Sequence, residues 1–154
     1  MTRIIHNLKY YDQFALAKPL AQLMSAAVPQ FHTPFKSNLI VPIPLHPERE
    51  RERGYNQAGL LAKELGKLLG LPVSQTALQR VRQTDSQAKL TREERMTNMA
   101  NAFETDREAV RRKHVLLVDD VCTTGATLFA AAARLKAAGA ISVNGLCVAR
   151  ALKL

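Results

Sequence analysis

The chain has 154 residues, enough for a hydrophobic core of its own, and we expect a single domain over residues 1–154. Apolar residues make up 47% and charged residues 23%, as in ordinary globular proteins, and no apolar run approaches the ~18 residues of a membrane span. The first ten residues lack the apolar stretch of a secretory signal, so the sequence predicts a cytoplasmic protein without membrane insertion.

The net charge of +9 and the two cysteines narrow the possible functions. The charge favours polyanionic partners such as phosphates or nucleic acid, although a basic surface that serves only solubility would give the same net charge. After Glu108 the only acidic residues are Asp119 and Asp120, in an otherwise basic stretch, which indicates that this pair has a functional role. Cys122 and Cys147 have no C-x-x-C partners, so they predict reduced, mostly buried thiols rather than a zinc site or a disulfide framework.

The first half of the chain predicts two helices and a short strand. Helical periodicity runs over residues 12–28, where Pro19 either kinks the helix or marks its true start. After a loop at 29–37, residues 39–41 predict a strand that is ended by prolines. A second helix is predicted over residues 56–69, because apolar residues recur there with helical spacing until a glycine stops it.

The middle of the chain is polar. Residues 46–55 alternate arginine and glutamate and predict a charged segment ahead of the second helix. Residues 73–81 are a weak strand candidate, and residues 82–90 predict a mobile loop because they are long, polar and poor in apolar residues. A capping box of Thr91 and Glu94 then predicts a short helix, followed by a strand near residues 102–103.

The last part of the chain predicts the clearest unit. Residues 115–118 form a fully apolar strand, residues 119–124 turn, residues 125–138 form a helix, and residues 141–148 form another strand. This β-loop-α-β order is typical of parallel sheets. The predicted fold class is therefore α/β, with a central, mostly parallel sheet flanked by helices.

The sequence VLLVDDVCTTGAT, residues 115–127, predicts a phosphate site at the carboxyl edge of that sheet, where open α/β folds bind ligands. A helix begins there, and helix N-termini offer unpaired N–H groups and a positive dipole end. The threonines add hydroxyl donors and the glycine permits close approach of the backbone. The candidate phosphate-binding residues are Thr123, Thr124, Gly125, Ala126 and Thr127.

The adjacent acids predict a second specificity. Asp119 and Asp120 would repel a phosphate but accept hydrogen bonds well from vicinal hydroxyls. A phosphate beside a diol describes a ribose 5-phosphate. Neither G-x-x-x-x-G-K-[ST] nor G-x-G-x-x-G occurs, and receiver domains with an acidic pair lack a Thr-Gly turn behind it. A strand that ends in a chance acidic turn is the remaining alternative.

These residues carry a resemblance to a known family. VLLVDDVCTTGAT resembles the 5-phosphoribosyl-1-pyrophosphate (PRPP) motif of type I phosphoribosyltransferases. Together with VPIPLHPERERERGYNQAGLLAKEL and LQRVRQTDSQAKLTREERMTNMANAF, it resembles the ComF family of competence and DNA-utilisation proteins, which includes GntX-like members, over about residues 4–152. Members usually carry an N-terminal cysteine-rich zinc ribbon. This sequence shows none, and the resemblance begins just after it, so the sequence fits either a shortened chain or a natural form without the ribbon.

The resemblance implies roles for specific residues. Asp119 and Asp120 would hold the ribose hydroxyls, with Mg²⁺ nearby, directly or indirectly bound, and Thr123 to Thr127 would hold the 5-phosphate. The implied pyrophosphate loop contributes Arg53, Gly54, Asn56 and Gln57. The implied flexible loop, which would close over the site, contributes Arg82, Gln87, Lys89 and Arg95. Charged residues such as Arg49 and Arg51 equally fit a solvated, self-paired surface.

Two functions follow from the resemblance. The first is a Mg²⁺-dependent transfer of the phosphoribosyl group from PRPP to an unidentified acceptor, with release of pyrophosphate. No catalytic base can be named, since Thr123 stands where some purine phosphoribosyltransferases carry an acid. The second is a non-catalytic module that binds a phosphoribosyl ligand or single-stranded DNA with the DNA-uptake machinery, although 5% aromatic residues and no Trp disfavour a stacking platform. A degenerate fold with a structural role is a third alternative.

Overall fold

The structure is a computed structural model that describes residues 14–30, 36–81 and 102–150. Two 3-10 turns occur at Phe14–Leu16 and Val28–Gln30. In chain order, the other elements are α1 (Ala17–Ala27), β1 (Leu39–Pro42), α2 (Pro47–Arg53), α3 (Gln57–Leu69), β2 (Leu78–Arg80), β3 (Phe103–Thr105), α4 (Arg107–Val110), β4 (His114–Cys122), α5 (Ala126–Ala137) and β5 (Ser142–Arg150).

A three-stranded parallel sheet lies at the centre, in the order β1-β4-β5. Side chains alternate along its buried strands between two hydrophobic clusters. Val41 and Leu117 belong to the cluster that includes α5, while Ile40 and Leu116 belong to the cluster that includes α1 and α3. Because helices cover both faces, these strands appear in the sequence as continuous apolar runs.

A small antiparallel ribbon of β2 and β3 packs against the α5 side of the sheet. Leu78 and Phe103 belong to the hydrophobic cluster that includes residues of α5. The Nε of Arg134, on α5, also donates a hydrogen bond of 3.0 Å to the Phe103 carbonyl oxygen. The ribbon is therefore fixed to the helix that follows the acidic strand β4.

The predicted fold class is confirmed, and most predicted elements occur with small shifts. The helix predicted over 12–28 is α1, with Pro19 in its first turn, so the proline marks a start. The helix predicted from Asn56 begins at Gln57, with Asn56 as its N-cap. The weak strand candidate is reduced to β2 and a single bridge from Val73 to Ile40. The unit of β4, α5 and β5 is parallel as expected.

One helix was not predicted, and one predicted turn begins later than expected. The charged segment 46–55 contains a helix, α2, because His46 caps its start, Pro47 occupies its first turn and Gly54 ends it in the left-handed conformation. The turn predicted to begin at Asp119 begins at Thr123, because β4 stays paired with β5 as far as Cys122.

The mobile loop and the capping box predicted within 82–101 lie outside the described residues, as does most of the loop predicted at 29–37. None of the helices in the described ranges combines the length and the apolar character needed to span a bilayer.

Candidate functional site

The predicted site lies at the carboxyl edge of the sheet, where β1 ends at Pro42, opposite Val118, and β4 continues to Cys122. The Ile43 N–H, just beyond β1, donates a hydrogen bond of 2.8 Å to the Val118 carbonyl oxygen. Asp119 is the next residue on β4. The chain that leaves β1 toward α2 therefore begins beside the acidic pair, as expected for parallel strands that share one carboxyl edge.

The two acids occupy different environments. Asp119 lines a surface hollow at this edge, whereas Asp120 is 7% exposed and is not among the described residues that line it. Successive residues of a strand point to opposite faces, which accounts for the difference. Asp119 Oδ1 accepts from the Asp120 N–H, and Asp120 Oδ1 accepts from the Val121 N–H, both at 2.8 Å. These local bonds fix the orientation of each carboxylate.

The hollow continues onto the predicted phosphate loop. Gly125 has a φ of 81° and is the N-cap of α5, and as a glycine it has no side chain to cap the helix. Thr124 Oγ1 accepts only a long bond, 3.4 Å, from the Ala126 N–H. A backbone turn and a helix N-terminus therefore face the same space as a carboxylate. The lining residues are Asp119, Val121, Cys122, Thr123, Gly125, Ala126, Thr127 and Leu128.

An exposed aromatic ring, which was not predicted from the sequence, lies beside this loop. Phe129 is 71% exposed. Its ring atoms lie 3.1 and 3.3 Å from the position that a Cβ on Gly125 would occupy. The ring and the glycine are therefore in close contact, and a larger residue at position 125 would require the Phe129 ring to shift by a few tenths of an ångström.

The two thiols lie at this edge of the sheet. Cys122 lines the hollow, and Cys147 is the β5 partner of Asp119. Both are free and only partly buried, so the expectation of reduced thiols fits but their burial is less than predicted. Burial raises the pKa of the Cys147 thiol, and the neighbouring Cys122 and Asp119 contribute further.

The predicted pyrophosphate residues divide into a surface group and an internal group. Arg53 is partly buried and Gly54 is exposed at the end of α2. Asn56 has a structural role: its Oδ1 accepts from the Ala58 N–H and its Nδ2 donates to the Ile43 carbonyl oxygen, both at 3.0 Å. Gln57 is 3% exposed. The assignment of these residues to pyrophosphate stays a prediction.

Sequence reasoning missed Arg80, the last residue of β2. Its guanidinium carbon lies 5.7 Å from the centroid of the Phe103 ring. Burial lowers the pKa of Arg80, the charge of Arg49 lowers it further and the charge of Asp119 raises it. No local signal in the sequence marks this residue, because the pairing of β2 with distant β3 positions it. The predicted flexible-loop residues Arg82, Gln87, Lys89 and Arg95 lie outside the described residues.

No group of three or more His, Cys, Asp or Glu side chains in the described ranges forms a metal cluster. Mg²⁺ commonly takes one or two carboxylates and completes its shell with water and substrate oxygens. Asp119, which lines the hollow, fits the role of such a carboxylate, whereas Asp120 is buried and does not line the hollow.

Comparisons with known proteins find relatives that match most of the chain. Residues 51–153 match the phosphoribosyl transferase domain family. Competence protein F of Haemophilus influenzae is 36% identical over 81% of this chain, and the match covers 57% of the length of that protein. DNA utilization protein YhgH of Salmonella typhimurium is 34% identical over 99% of the chain and 68% of its own length. Competence protein ComFC of Bacillus subtilis is 37% identical over 76% of the chain and 46% of its length.

Two solved structures share the fold at 15% identity. Glutamine PRPP amidotransferase from B. subtilis has a TM-score of 0.61, with 94% of this chain and 30% of that chain covered. Adenine phosphoribosyltransferase from Thermoanaerobacter pseudethanolicus has a TM-score of 0.55, with 94% and 83% covered.

Proposed function

Because this chain belongs to the phosphoribosyl transferase domain family, and within it to the ComF group of competence and DNA-utilisation proteins, we propose that it binds PRPP with Mg²⁺ and transfers the phosphoribosyl group to an acceptor. One observation carries the proposal: the carboxylate of Asp119 and the N-terminus of α5 line one hollow. A carboxylate suits ribose hydroxyls, and a helix N-terminus suits the 5-phosphate.

The residues of this chain would bind and orient the sugar. The carboxylate of Asp119 would accept hydrogen bonds from the ribose hydroxyls. Asp120 is buried, and its role would be to stabilise the end of β4 that carries Asp119. The loop of residues 123–127 holds the 5-phosphate through backbone N–H groups and threonine hydroxyls. Mg²⁺, when bound near the acids, would neutralise charge on the departing pyrophosphate.

The proposed chemistry is substitution at C1 of the ribose. The bond from C1 to the pyrophosphate oxygen breaks, and its electron pair leaves with pyrophosphate. A bond from C1 to the acceptor forms, and the acceptor loses a proton to solvent or to its own basic atom. The protein contributes positioning and charge stabilisation, so no covalent intermediate is required.

Calorimetric titration of PRPP with Mg²⁺ tests the binding step. We expect the wild-type protein to bind and the double variant Asp119→Asn/Asp120→Asn to lose at least tenfold in affinity, as for a lost charge-assisted contact. Glu104→Gln/Glu108→Gln removes the same charge from exposed positions and serves as the control. Absence of wild-type binding would contradict the proposal. Where binding occurs, pyrophosphate release with nucleobase and amine acceptors tests the transfer.

A second function is a DNA-binding module, favoured by the net charge of +9 and by relatives named for competence and DNA utilisation. A terminal 5′-phosphate and its sugar would occupy the same hollow. The test is competition: PRPP should displace a 5′-phosphorylated single-stranded oligonucleotide more readily than an unphosphorylated one. Binding that ignores the 5′-phosphate and declines steeply with salt would indicate only a general attraction to polyanions.

A further inference from the structure

Phe129 presents an aromatic ring to solvent at the rim of the phosphate loop. Its side chain, at 71%, is more exposed than any other large hydrophobic residue in the described ranges. The ring atoms lie 3.1 and 3.3 Å from the position of a Cβ on Gly125. Helical side chains lean toward the N-terminus of their helix, so this ring leans toward the loop that begins α5. A lone exposed apolar residue has no meaning by itself, and only its place beside the loop gives the ring interest.

The neighbours of Phe129 on its own helix leave the ring uncovered. Surface neighbours on a helix lie three and four positions away. For Phe129 these are Gly125, Ala126, Ala132 and Ala133, all of them small. None is long enough to lie across the ring, and the first turn of α5 contains no acidic residue. The ring therefore offers a flat apolar face on a helical turn that does not repel an anion.

The ring lies on the solvent side of the proposed phosphate site. The buried residues of α5 are Ala130, Ala131 and Leu135, and helical geometry places Phe129 on the opposite face. The Phe129 N–H donates a hydrogen bond of 2.9 Å to the Gly125 carbonyl oxygen, which closes the first turn of the helix. The N–H groups just before it are those that a helix N-terminus offers to an anion. Gly125 lines the hollow and also contacts the ring, so a group attached to the outer oxygen of a bound phosphate would extend toward Phe129.

We infer that Phe129 stacks on a nucleobase of single-stranded DNA, the base of the nucleotide on the 5′ side of the phosphate that the loop holds. The inference rests on the proposed DNA-binding function and deepens it. A phosphodiester has two ester oxygens: one leads to the sugar that Asp119 would contact, and the other leads to the preceding nucleotide. Bases of any kind stack on aromatic rings. PRPP and ribose 5-phosphate carry nothing beyond their 5-phosphate, so Phe129 would distinguish a DNA strand from a free sugar phosphate.

Calorimetry with two matched dinucleotides tests the inference. One has adenine on its 5′ nucleotide and thymine on its 3′ nucleotide, and the other is abasic at the 5′ position. We expect the wild-type protein to bind the first about 5- to 50-fold more tightly, as for one stacked base. Phe129→Ala should bind both within about twofold of each other and keep its affinity for ribose 5-phosphate within about twofold. Phe129→Tyr should keep the preference, because it retains the ring.

A fluorescence measurement reports the stacking directly, because the sequence contains no tryptophan. Phe129→Trp introduces a single indole at the proposed position, and the dinucleotide with adenine should quench its emission more strongly than the abasic analogue does. Ile141→Trp is the control, since Ile141 is 52% exposed and its N–H bonds the Lys113 carbonyl oxygen at the amino end of β5, away from the site. Neither dinucleotide should quench the emission of Ile141→Trp.

Failure of the inference differs from failure of the proposed function. If the wild-type protein binds ribose 5-phosphate but shows no preference for the adenine dinucleotide, or if Phe129→Ala keeps that preference, the stacking role is wrong and the phosphate site stands. Emission of Phe129→Trp that responds to protein concentration and not to the dinucleotide would assign the ring to self-association, which also overturns the inference. If the wild-type protein binds none of these ligands, the proposed function itself fails.

Discussion

At the residue scale, the site depends on small differences between neighbours. Asp119 and Asp120 are adjacent in sequence, yet only Asp119 lines the hollow and Asp120 is almost fully buried. Cys122 and Cys147 lie at the same sheet edge although 25 positions separate them (147 − 122). The unequal burial of the two acids follows from the alternation of side chains along β4. The proximity of the two cysteines follows from the parallel pairing of β4 with β5.

Gly125 offers a first test at this scale. Gly125→Ala puts a Cβ on a residue with φ near 81°, which costs about 1–2 kcal/mol, and places it 3.1 Å from the Phe129 ring. We expect a lower free energy of unfolding in urea and weaker PRPP binding. Phe129→Ala removes this close contact but not the backbone strain, so Gly125→Ala should cost less in that background. An unchanged unfolding midpoint for Gly125→Ala would contradict the left-handed geometry.

Cys147 predicts a pH dependence with a defined sign. Its pKa is raised in the folded protein by burial, by Cys122 and by Asp119, so the fold favours the protonated thiol. This contribution is fully present below the unfolded thiol pKa, about 8.5, and is lost as the pH rises through the folded pKa. As the pH rises above about 8, the free energy of unfolding of the wild-type protein, measured in urea, should fall relative to that of Cys147→Ala. A constant difference across this range would refute the assignment.

At the element scale, hydrogen bonds join the segment between β1 and α3 to the strand that carries the acidic pair. Asn56 closes the start of α3 and bonds the Ile43 carbonyl oxygen, while the Ile43 N–H bonds the Val118 carbonyl oxygen. Val118 immediately precedes Asp119 on β4. A short chain of hydrogen bonds therefore joins the segment after β1 to the acidic pair, and one side chain links the two halves of the proposed site.

Replacement of Asn56 tests this connection. Asn56→Ala removes both the cap and the bond to Ile43, and we expect a loss of about 1–2 kcal/mol in the free energy of unfolding. Asn56→Asp keeps the capping acceptor but sets a carboxylate oxygen against the Ile43 carbonyl oxygen, so it should not restore the lost stability. Urea unfolding gives the stabilities, and calorimetry with PRPP gives the effect on binding. Equal stabilities for Asn56→Ala and the wild-type protein would exclude the structural role.

The elements also show what the sequence can predict. Apolar residues 115–118 and the helical spacing of 56–69 predicted a strand and a helix, because burial dictates both patterns. Helix α2 was missed because none of its residues is buried, so only its end signals, Pro47 and Gly54, could have indicated it. Arg80 was missed because no local pattern reports the pairing of β2 with β3, whose residues are distant in sequence.

At the scale of the whole molecule, the net charge of +9 attracts any polyanion, and only the site can discriminate among them. General attraction spreads over the surface and weakens strongly with salt. A ligand held by Asp119 and the start of α5 instead combines contacts in one place. The two kinds of binding therefore differ in how much they raise the melting temperature at low and at high salt.

Thermal unfolding separates them. A ligand that binds only the folded state, at about a hundredfold excess over its Kd, stabilises it by about 2.7 kcal/mol, or roughly 5–10 °C for a chain of this size. We expect PRPP with Mg²⁺ to raise the melting temperature by this amount in 50 mM and in 300 mM salt, and Asp119→Asn/Asp120→Asn to remove the effect. An unphosphorylated oligonucleotide should stabilise only at low salt, since counterion release drives its binding. Stabilisation by PRPP that vanished in 300 mM salt, or that survived in the double variant, would assign the binding to the basic surface instead of to the hollow at the end of β4.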